Sequence, residues 1–278
     1  MRPSRDIRLL VLDIDGTLVD EANGIRDRVL HALRSVQCRG VEIALATGRL
    51  FRTALPIYRS IDLTLPLICC EGALIRHPET GFVHGHWPLD RDVAERLLDH
   101  TEELRLDGRL SVHFHIQDDI YISNSSEASI KYFAGSNAEP IVVPDLRRFL
   151  DQATTKVAVV SENAEVIARF GRELKNSHSR AQVAVHNSVT VLEAFHPDVN
   201  KQLAVRYLAE EILSLRPENV MAIGDDVADI EMLQYAGLGV AMGNAPAAVR
   251  AVADWVATGI AEDGVARAVE KWLLDPSS

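Results

Sequence analysis

Two aspartates stand two residues apart at the end of an unbroken apolar run, Leu9-Leu10-Val11-Leu12-Asp13-Ile14-Asp15-Gly16-Thr17-Leu18. Carboxylates at that spacing can divide a reaction, one attacking as a nucleophile and the other moving a proton. Like charges this close repel, so a hard cation such as Mg2+ is the natural way to keep both ionised. The competing reading is a strand end at which Asp and Gly serve only a turn. A second acidic cluster, Gly224-Asp225-Asp226-Val227-Ala228-Asp229, closes another apolar run, Asn219 to Ile223. Asp225, with Asp13 and the Asp15 backbone carbonyl, could form an oxygen shell for Mg2+, and Asp229 could orient it from behind. Thr47-Gly48-Arg49 ends a third apolar run. The Thr47 hydroxyl and the Gly48 N–H can both donate to a phosphate oxygen, although taken alone the segment reads better as a capping Thr with a turn Gly. Lys201, one strand before the second acidic cluster, would neutralise a phosphate and damp its repulsion from Asp13.

These groups need a frame that brings strand ends together. Leu9 to Leu12 reads as a strand buried on both faces, as in a parallel sheet, and such sheets bind ligands beyond the carboxyl ends of their strands. A helix over Ile25 to Val36, a strand over Val41 to Ala46, a helix over Phe51 to Ile61 interrupted at Pro56, and a strand over Leu65 to Cys70 follow in β-α-β-α-β order. That order predicts right-handed crossovers. From about Gly81 the pattern turns to hairpins with interspersed helices. Leu110 to His115 and Asp119 to Ser123 read as one hairpin, and 181–186 and 189–194 as another through Asn187-Ser188. An α+β module inserted in an α/β domain is therefore expected, because the first rhythm resumes near His196. The expected division is 1–80 with 190–278 for the core, and 81–189 for the insert. In the insert, His113 and His115 alternate on one strand and share a face. With Tyr121 they could line a pocket; an exposed face of a half-buried sheet is the other reading. Arg49 could reach a substrate anion or lie on the surface.

At 278 residues, 47% hydrophobic and 25% charged, the composition is that of an ordinary globular chain. No apolar run approaches the ~20 residues of a membrane span. The first strand begins too early for a signal peptide, so a cytoplasmic location is expected. A net charge of −11 disfavours nucleic acid and anionic membranes as partners, and leaves an anionic substrate dependent on local cations. Cys38, Cys69 and Cys70 form neither a disulfide framework nor a zinc-spaced set. Oligomeric state is not readable.

Asp13-x-Asp15-Gly-Thr-Leu, Thr47, Lys201 and Gly224-Asp225-Asp226-x-x-Asp229, in this order, resemble the four motifs of the haloacid dehalogenase (HAD) superfamily. Ile68 to Ala73, Pro197 to Lys201, Met242-Gly243-Asn244-Ala245 and Glu262-Asp263-Gly264-Val265-Ala266 resemble its Cof-type branch. The resemblance covers the whole chain. It implies a Rossmann-like α/β core with a parallel sheet and an inserted cap of C2 type, subtype B. It also implies a Mg2+-dependent phosphatase acting on small phosphorylated metabolites, a sugar phosphate or a phosphorylated cofactor, through an aspartyl phosphate on Asp13. Asp15 would be the acid and base, Thr47, Gly48 and Lys201 would hold phosphate, and Asp13, Asp15 and Asp225 the metal. Asp226, Asp229 and Asn244 would support the metal or phosphate, and Arg49, Glu71, His113, His115 and Tyr121 the substrate. The branch pattern has Asn where Ala228 and Glu71 stand, and Ser where Asn200 stands. Glu71 would add negative charge at the pocket mouth. A phosphomutase and a metabolite-binding module without turnover are the alternatives.

Overall fold

The first strand, β1 (Leu9–Leu12), has all four side chains buried, so the chain must cover it on both faces. The computed structural model, which describes residues 6–20, 24–104, 110–134, 138–177, 182–186 and 191–275, divides into two compact units. Residues 1–84 and 200–278 form one, and residues 85–199 the other. The sequence-based division at 80/81 and 189/190 places the second boundary about ten residues early. The strand Val191–Phe195 pairs within the second unit's sheet, so its residues belong there.

In the first unit, β1 is followed by α1 (Asp27–Gln37), β2 (Glu42–Leu45), α2 (Phe51–Ser60), β3 (Leu67–Cys69) and β4 (Leu74–Arg76), and β5 (Val83–His86) spans the boundary between the units. Pro56 does not interrupt α2. It removes one helix hydrogen bond, but the buried stripe of Phe51, Ala54, Ile57 and Tyr58 keeps the helix on the core. In the second unit come α3 (Arg91–Leu104), β6 (Leu110–Ile116), β7 (Asp119–Ile122), α4 (Glu127–Phe133), β8 (Ile141–Val142), β9 (Thr154–Ser161), α5 (Ala164–Ser177), β10 (Gln182–His186) and β11 (Val191–Phe195). The chain returns to the first unit through α6 (Lys201–Tyr207), β12 (Val220–Gly224), α7 (Ile230–Tyr235), β13 (Leu238–Ala241), α8 (Ala247–Val252), β14 (Trp255–Val256) and α9 (Gly264–Val269).

The first unit's main sheet runs β14-β13-β12-β1-β2 with every pair parallel. β1 is an inner strand beside the central β12, in register with Val220 to Ile223 on one side and Glu42 to Leu45 on the other. Asp13, Thr47 and Asp225 therefore follow the ends of three adjacent strands at one edge. The chain order makes this an α/β fold, as the composition of runs predicted.

The second unit's sheet runs β10-β11-β9-β6-β7-β8, antiparallel except for β7 with β8. One face carries Leu110, Val112, Phe114 and Ile116 against Val93 and Leu97 of α3 and Ile167 and Phe170 of α5. The other carries Ala158, Val160 and Val191 under Ala128 and Tyr132 of α4. The sequence reading passed over α4 and β8. α4 is only two turns long, too short for a periodic stripe, and its plainest signal is Ser126, whose hydroxyl caps it by accepting from Ser129 N–H at 3.0 Å. The turn at Asn187-Ser188 lies outside the described residues.

Candidate active site

Beyond β1 the chain turns at once. Leu18 and Val19 N–H both return to the Ile14 carbonyl, and Gly16 N–H donates to the Val19 carbonyl at 3.0 Å. Gly16 takes φ +79°, and a Cβ there would lie 2.2 Å from the Asp225 carboxylate. Glycine at this position therefore lets the first acidic segment close on the second. Asp13 is 4% exposed and lies directly at the strand end.

Lys201 is the hub. Asn200 caps α6 by accepting from Leu203 N–H at 2.7 Å, which sets Lys201 as the first helical residue with its side chain turned inward. Its ammonium donates to Asp13 Oδ1 at 2.7 Å and to Asp229 Oδ1 at 2.7 Å, with Glu71 Oε2 at 3.7 Å. Asp229 is fully buried, and its other oxygen accepts from Asp225 N–H at 2.9 Å and Asp226 N–H at 3.0 Å. Gly224 provides the room, since a Cβ there would meet the Asp229 carboxylate at 2.5 Å. Asp225 is fixed from two sides. Thr17 Oγ1 donates to its Oδ1 at 2.8 Å, and Asn244 Nδ2 reaches its Oδ2 at 3.3 Å while also donating to Gly16 O at 2.9 Å. Thr17 was given no role from the sequence. Its signal is a hydroxyl one residue past the turn glycine.

Charge on these groups follows from their burial. Burial raises the Asp13 carboxyl well above the usual range, against the Lys201 ammonium, with Asp229 and Asp225 pushing upward. Burial also pushes Asp225 up to about 6, the Thr17 hydrogen bond opposing it. For Lys201, burial works to lower the value, but Asp13 and Asp229 outweigh it and hold the ammonium well above its ordinary range. Carboxylate oxygens of Asp13, Asp225 and Asp229 lie within 4.8 Å of one another, a group that could hold a metal ion. Because Lys201 and two backbone N–H groups engage Asp229, Asp13 and Asp225 are the better ligands. Raised carboxyls facing one another are what a hard divalent cation would reverse, so the donor set fits one.

Asp15 points elsewhere. Arg49 grips its carboxylate with two hydrogen bonds, Nε to Oδ2 at 2.8 Å and Nη2 to Oδ1 at 2.5 Å. The metal role expected of Asp15 would thus fall to its backbone, and Arg49 is not a bare surface residue, since it is paired with Asp15. Thr47 is buried, and its Oγ1 accepts from Arg49 N–H at 3.1 Å, which shapes the loop before α2. The residue before α2 is Leu50, so Thr47 is not the helix cap. Gly48 lies under Glu71: a Cβ on Gly48 would stand 2.2 Å from Glu71 Oε1. Asp226 and Ala228 are exposed, and Asp226 caps its own turn through a bond from Val227 N–H.

The second unit separates its three candidates. His113 and His115 are buried, which overturns the exposed-face reading. His113 Nε2 lies 2.8 Å from Ser129 Oγ, and its ring stacks on Phe133. Beside them Lys156 donates to Glu193 Oε1 at 2.6 Å, and Tyr132 donates to the same oxygen at 2.8 Å. Tyr121 pairs with Phe114 on the opposite face and packs on Phe149. It cannot share a pocket wall with the histidines, because pairing fixes which face each residue takes.

The family model of haloacid dehalogenase-like hydrolases matches residues 10–269. Over 272 residues the chain is 31% identical to the 5-amino-6-(5-phospho-D-ribitylamino)uracil phosphatase YitU of Bacillus subtilis, covering 95% of this chain and 97% of that one. A second B. subtilis phosphatase of the same designation, YcsE, is 30% identical over 274 residues, with 98% of each chain covered. A haloacid dehalogenase-like hydrolase from Bacteroides thetaiotaomicron superposes with a TM-score of 0.86 at 26% identity, covering 95% of this chain and 99% of that one. With this match over most of its length, and with Lys201 joining Asp13 to Asp229 at the sheet edge, the chain belongs to the haloacid dehalogenase-like hydrolases and is a phosphatase of the Cof-type branch.

Proposed function

We propose that the protein hydrolyses small phosphate monoesters with Mg2+, through an aspartyl phosphate on Asp13. The observation that carries this reading is the Lys201 ammonium bridging Asp13 and Asp229 at 2.7 Å each, with Asp225 beside them. A nucleophilic carboxylate buried against a fixed ammonium can approach a phosphoryl group without prohibitive repulsion. Asp13 and Asp225 would hold Mg2+, with the Asp15 carbonyl. When bound, the ion neutralises phosphoryl oxygens as charge shifts in the transfer.

Asp13 Oδ attacks phosphorus as the ester P–O bond breaks, and Asp15 gives its proton to the leaving alkoxide. Asp15 then takes a proton from water, the water oxygen attacks phosphorus, and the Asp13–phosphorus bond breaks to release phosphate. Arg49 orients Asp15, holding both oxygens of the carboxylate and giving up one of the two bonds when Asp15 carries the proton. The Thr47 hydroxyl, Gly48 N–H and Lys201 hold the phosphoryl oxygens, and Asn244 and Thr17 hold Asp225 in place. Residues 85–199 serve as the subtype B cap that selects the substrate. Two relatives bear the same substrate in their names, so 5-amino-6-(5-phospho-D-ribitylamino)uracil heads the metabolites to test. The net charge of −11 supports partners that are neither nucleic acid nor anionic membrane. No helix among the described residues is long and apolar enough to cross a membrane, and a cytoplasmic location accords with that.

The test is phosphate release from p-nitrophenyl phosphate, with and without Mg2+, by wild type and Asp13→Asn. Release that requires Mg2+ and vanishes in the variant is expected. Metal-independent release that survives Asp13→Asn sinks the mechanism.

A further inference from the structure

Three consecutive residues, Cys70, Glu71 and Gly72, have positive φ, at 51°, 57° and 101°. Only the third is glycine. Non-glycine residues in this region carry strain, and two in a row persist only where their surroundings impose it. The surroundings here are explicit. Cys70 N–H donates to the Arg49 carbonyl at 3.0 Å and Glu71 N–H to the Thr47 carbonyl at 3.1 Å, so the segment is laced to the Thr47–Arg49 loop. On its other side, a Cβ on Gly72 would stand 2.5 Å from the Asn200 carbonyl, which seats the segment against the start of α6. The strained backbone is thus clamped between the two elements that carry Thr47, Gly48 and Lys201.

Its side chain is placed with equal definition. The Glu71 carboxylate is 13% exposed, lies 3.7 Å from the Lys201 ammonium, and fills the space that the missing Cβ of Gly48 leaves. A carboxylate is therefore held against the same ammonium and the same glycine backbone that the proposed function assigns to the phosphoryl group. Two anions drawn to one set of donors exclude or repel each other.

We propose that Glu71 is an internal anion that competes with the phosphoryl group for Lys201 and the Gly48 backbone, and so weakens the binding of phosphate esters and of product phosphate. The inference rests on the phosphatase reading of this site. Its consequence is weak retention of inorganic phosphate after turnover, because Glu71 returns to Lys201 as phosphate leaves.

Inorganic phosphate binding is measured by calorimetry in the presence of Mg2+, for wild type and Glu71→Gln, alongside KM and kcat on p-nitrophenyl phosphate. Gln keeps the size and removes the charge. Glu71→Asn serves as the second variant, since Asn tolerates left-handed backbone better than Glu and guards against misfolding. The expected result is phosphate bound at least fivefold more tightly by the variants, with KM lowered by a similar factor. Equal or weaker phosphate binding in the variants, with wild type active, overturns the inference and makes Glu71 a support for Lys201. No phosphate binding by any of the proteins, with no turnover by wild type, overturns both this inference and the phosphatase reading beneath it.

Discussion

Two buried lysines, each bound to a carboxylate at about the same distance, sit in different kinds of environment. Lys156 meets Glu193 at 2.6 Å on an antiparallel sheet face, and Lys201 meets Asp13 at 2.7 Å at the end of a parallel one. Around Lys156 the neighbours are a tyrosine hydroxyl and two histidines, and burial pushes His113 down to about 3 and His115 well below the usual range. Neutral imidazoles leave one positive and one negative charge, so that cluster balances itself. Around Lys201 stand Asp13, Asp229 and Glu71, with Asp225 within reach of the first two. There the carboxylates outnumber the ammonium, and the excess asks for a cation or a protonated acid. A buried ion pair alone is thus no sign of chemistry; uncompensated charge at an open strand end is.

The largest test of that contrast removes each lysine in turn. Lys201→Met and Lys156→Met should each cost about 3–5 kcal/mol in urea unfolding, because each leaves a buried carboxylate without its partner. The second member then separates them. Lys156→Met/Glu193→Leu should recover most of the loss, since an apolar pair can replace a balanced one. Lys201→Met/Asp13→Leu should not, because Asp229, Asp225 and Glu71 keep their charge. Equal recovery in both would erase the distinction.

Acid should act on the second unit next. His113 and His115 are neutral when folded, while in the unfolded chain they take a proton near pH 6.5. As pH falls below about 6.5 the unfolded state binds more protons, so stability present above that pH is lost. The loss is about 1.4 kcal/mol per pH unit for each histidine, ending near the folded values. Neither His115 ring nitrogen meets a hydrogen-bond partner among the described residues. His115→Leu should therefore remove about 1.4 kcal/mol per pH unit of that loss between pH 6.5 and 5. An unchanged slope would show that the histidines are not the groups that titrate.

Mg2+ should act on the first unit alone. Binding at a hundred times its dissociation constant would raise stability by about 2.7 kcal/mol, visible as a higher melting temperature that Asp225→Asn abolishes. The smallest effect is expected at Arg49. Its two bonds to Asp15 need a planar fork that lysine lacks, so Arg49→Lys should lower kcat by about tenfold, or ~1.4 kcal/mol. A kcat equal to wild type would mean that Asp15 needs no such hold.

The placement of the strand-end residues was legible because it is local. Asp13, Thr47 and Asp225 each close a short apolar run, and runs of that kind become parallel strands whose ends share an edge. Lys201 stands at the head of α6, which Asn200 caps. The histidines were half legible. Period-two alternation placed His113 and His115 on one face, but what covers that face is α4, whose seven residues carry too little periodicity to announce themselves. Tyr121 was misplaced for a related reason: strand register, which no single strand contains, set it opposite Phe114.

By itself, then, the sequence determined the strand-end carboxylates, their order along the chain, and the α/β rhythm that would gather them, since each depends on neighbours a few residues away. Only the tertiary structure decided that Arg49 would take Asp15, that Glu71 would lie over Gly48 beside Lys201, that Asp226 would turn outward while Asp229 turned in, and that the Lys156–Glu193 cluster would be closed under α4. Those outcomes come from contacts between segments distant in sequence, where a side chain's partner is set by packing and register.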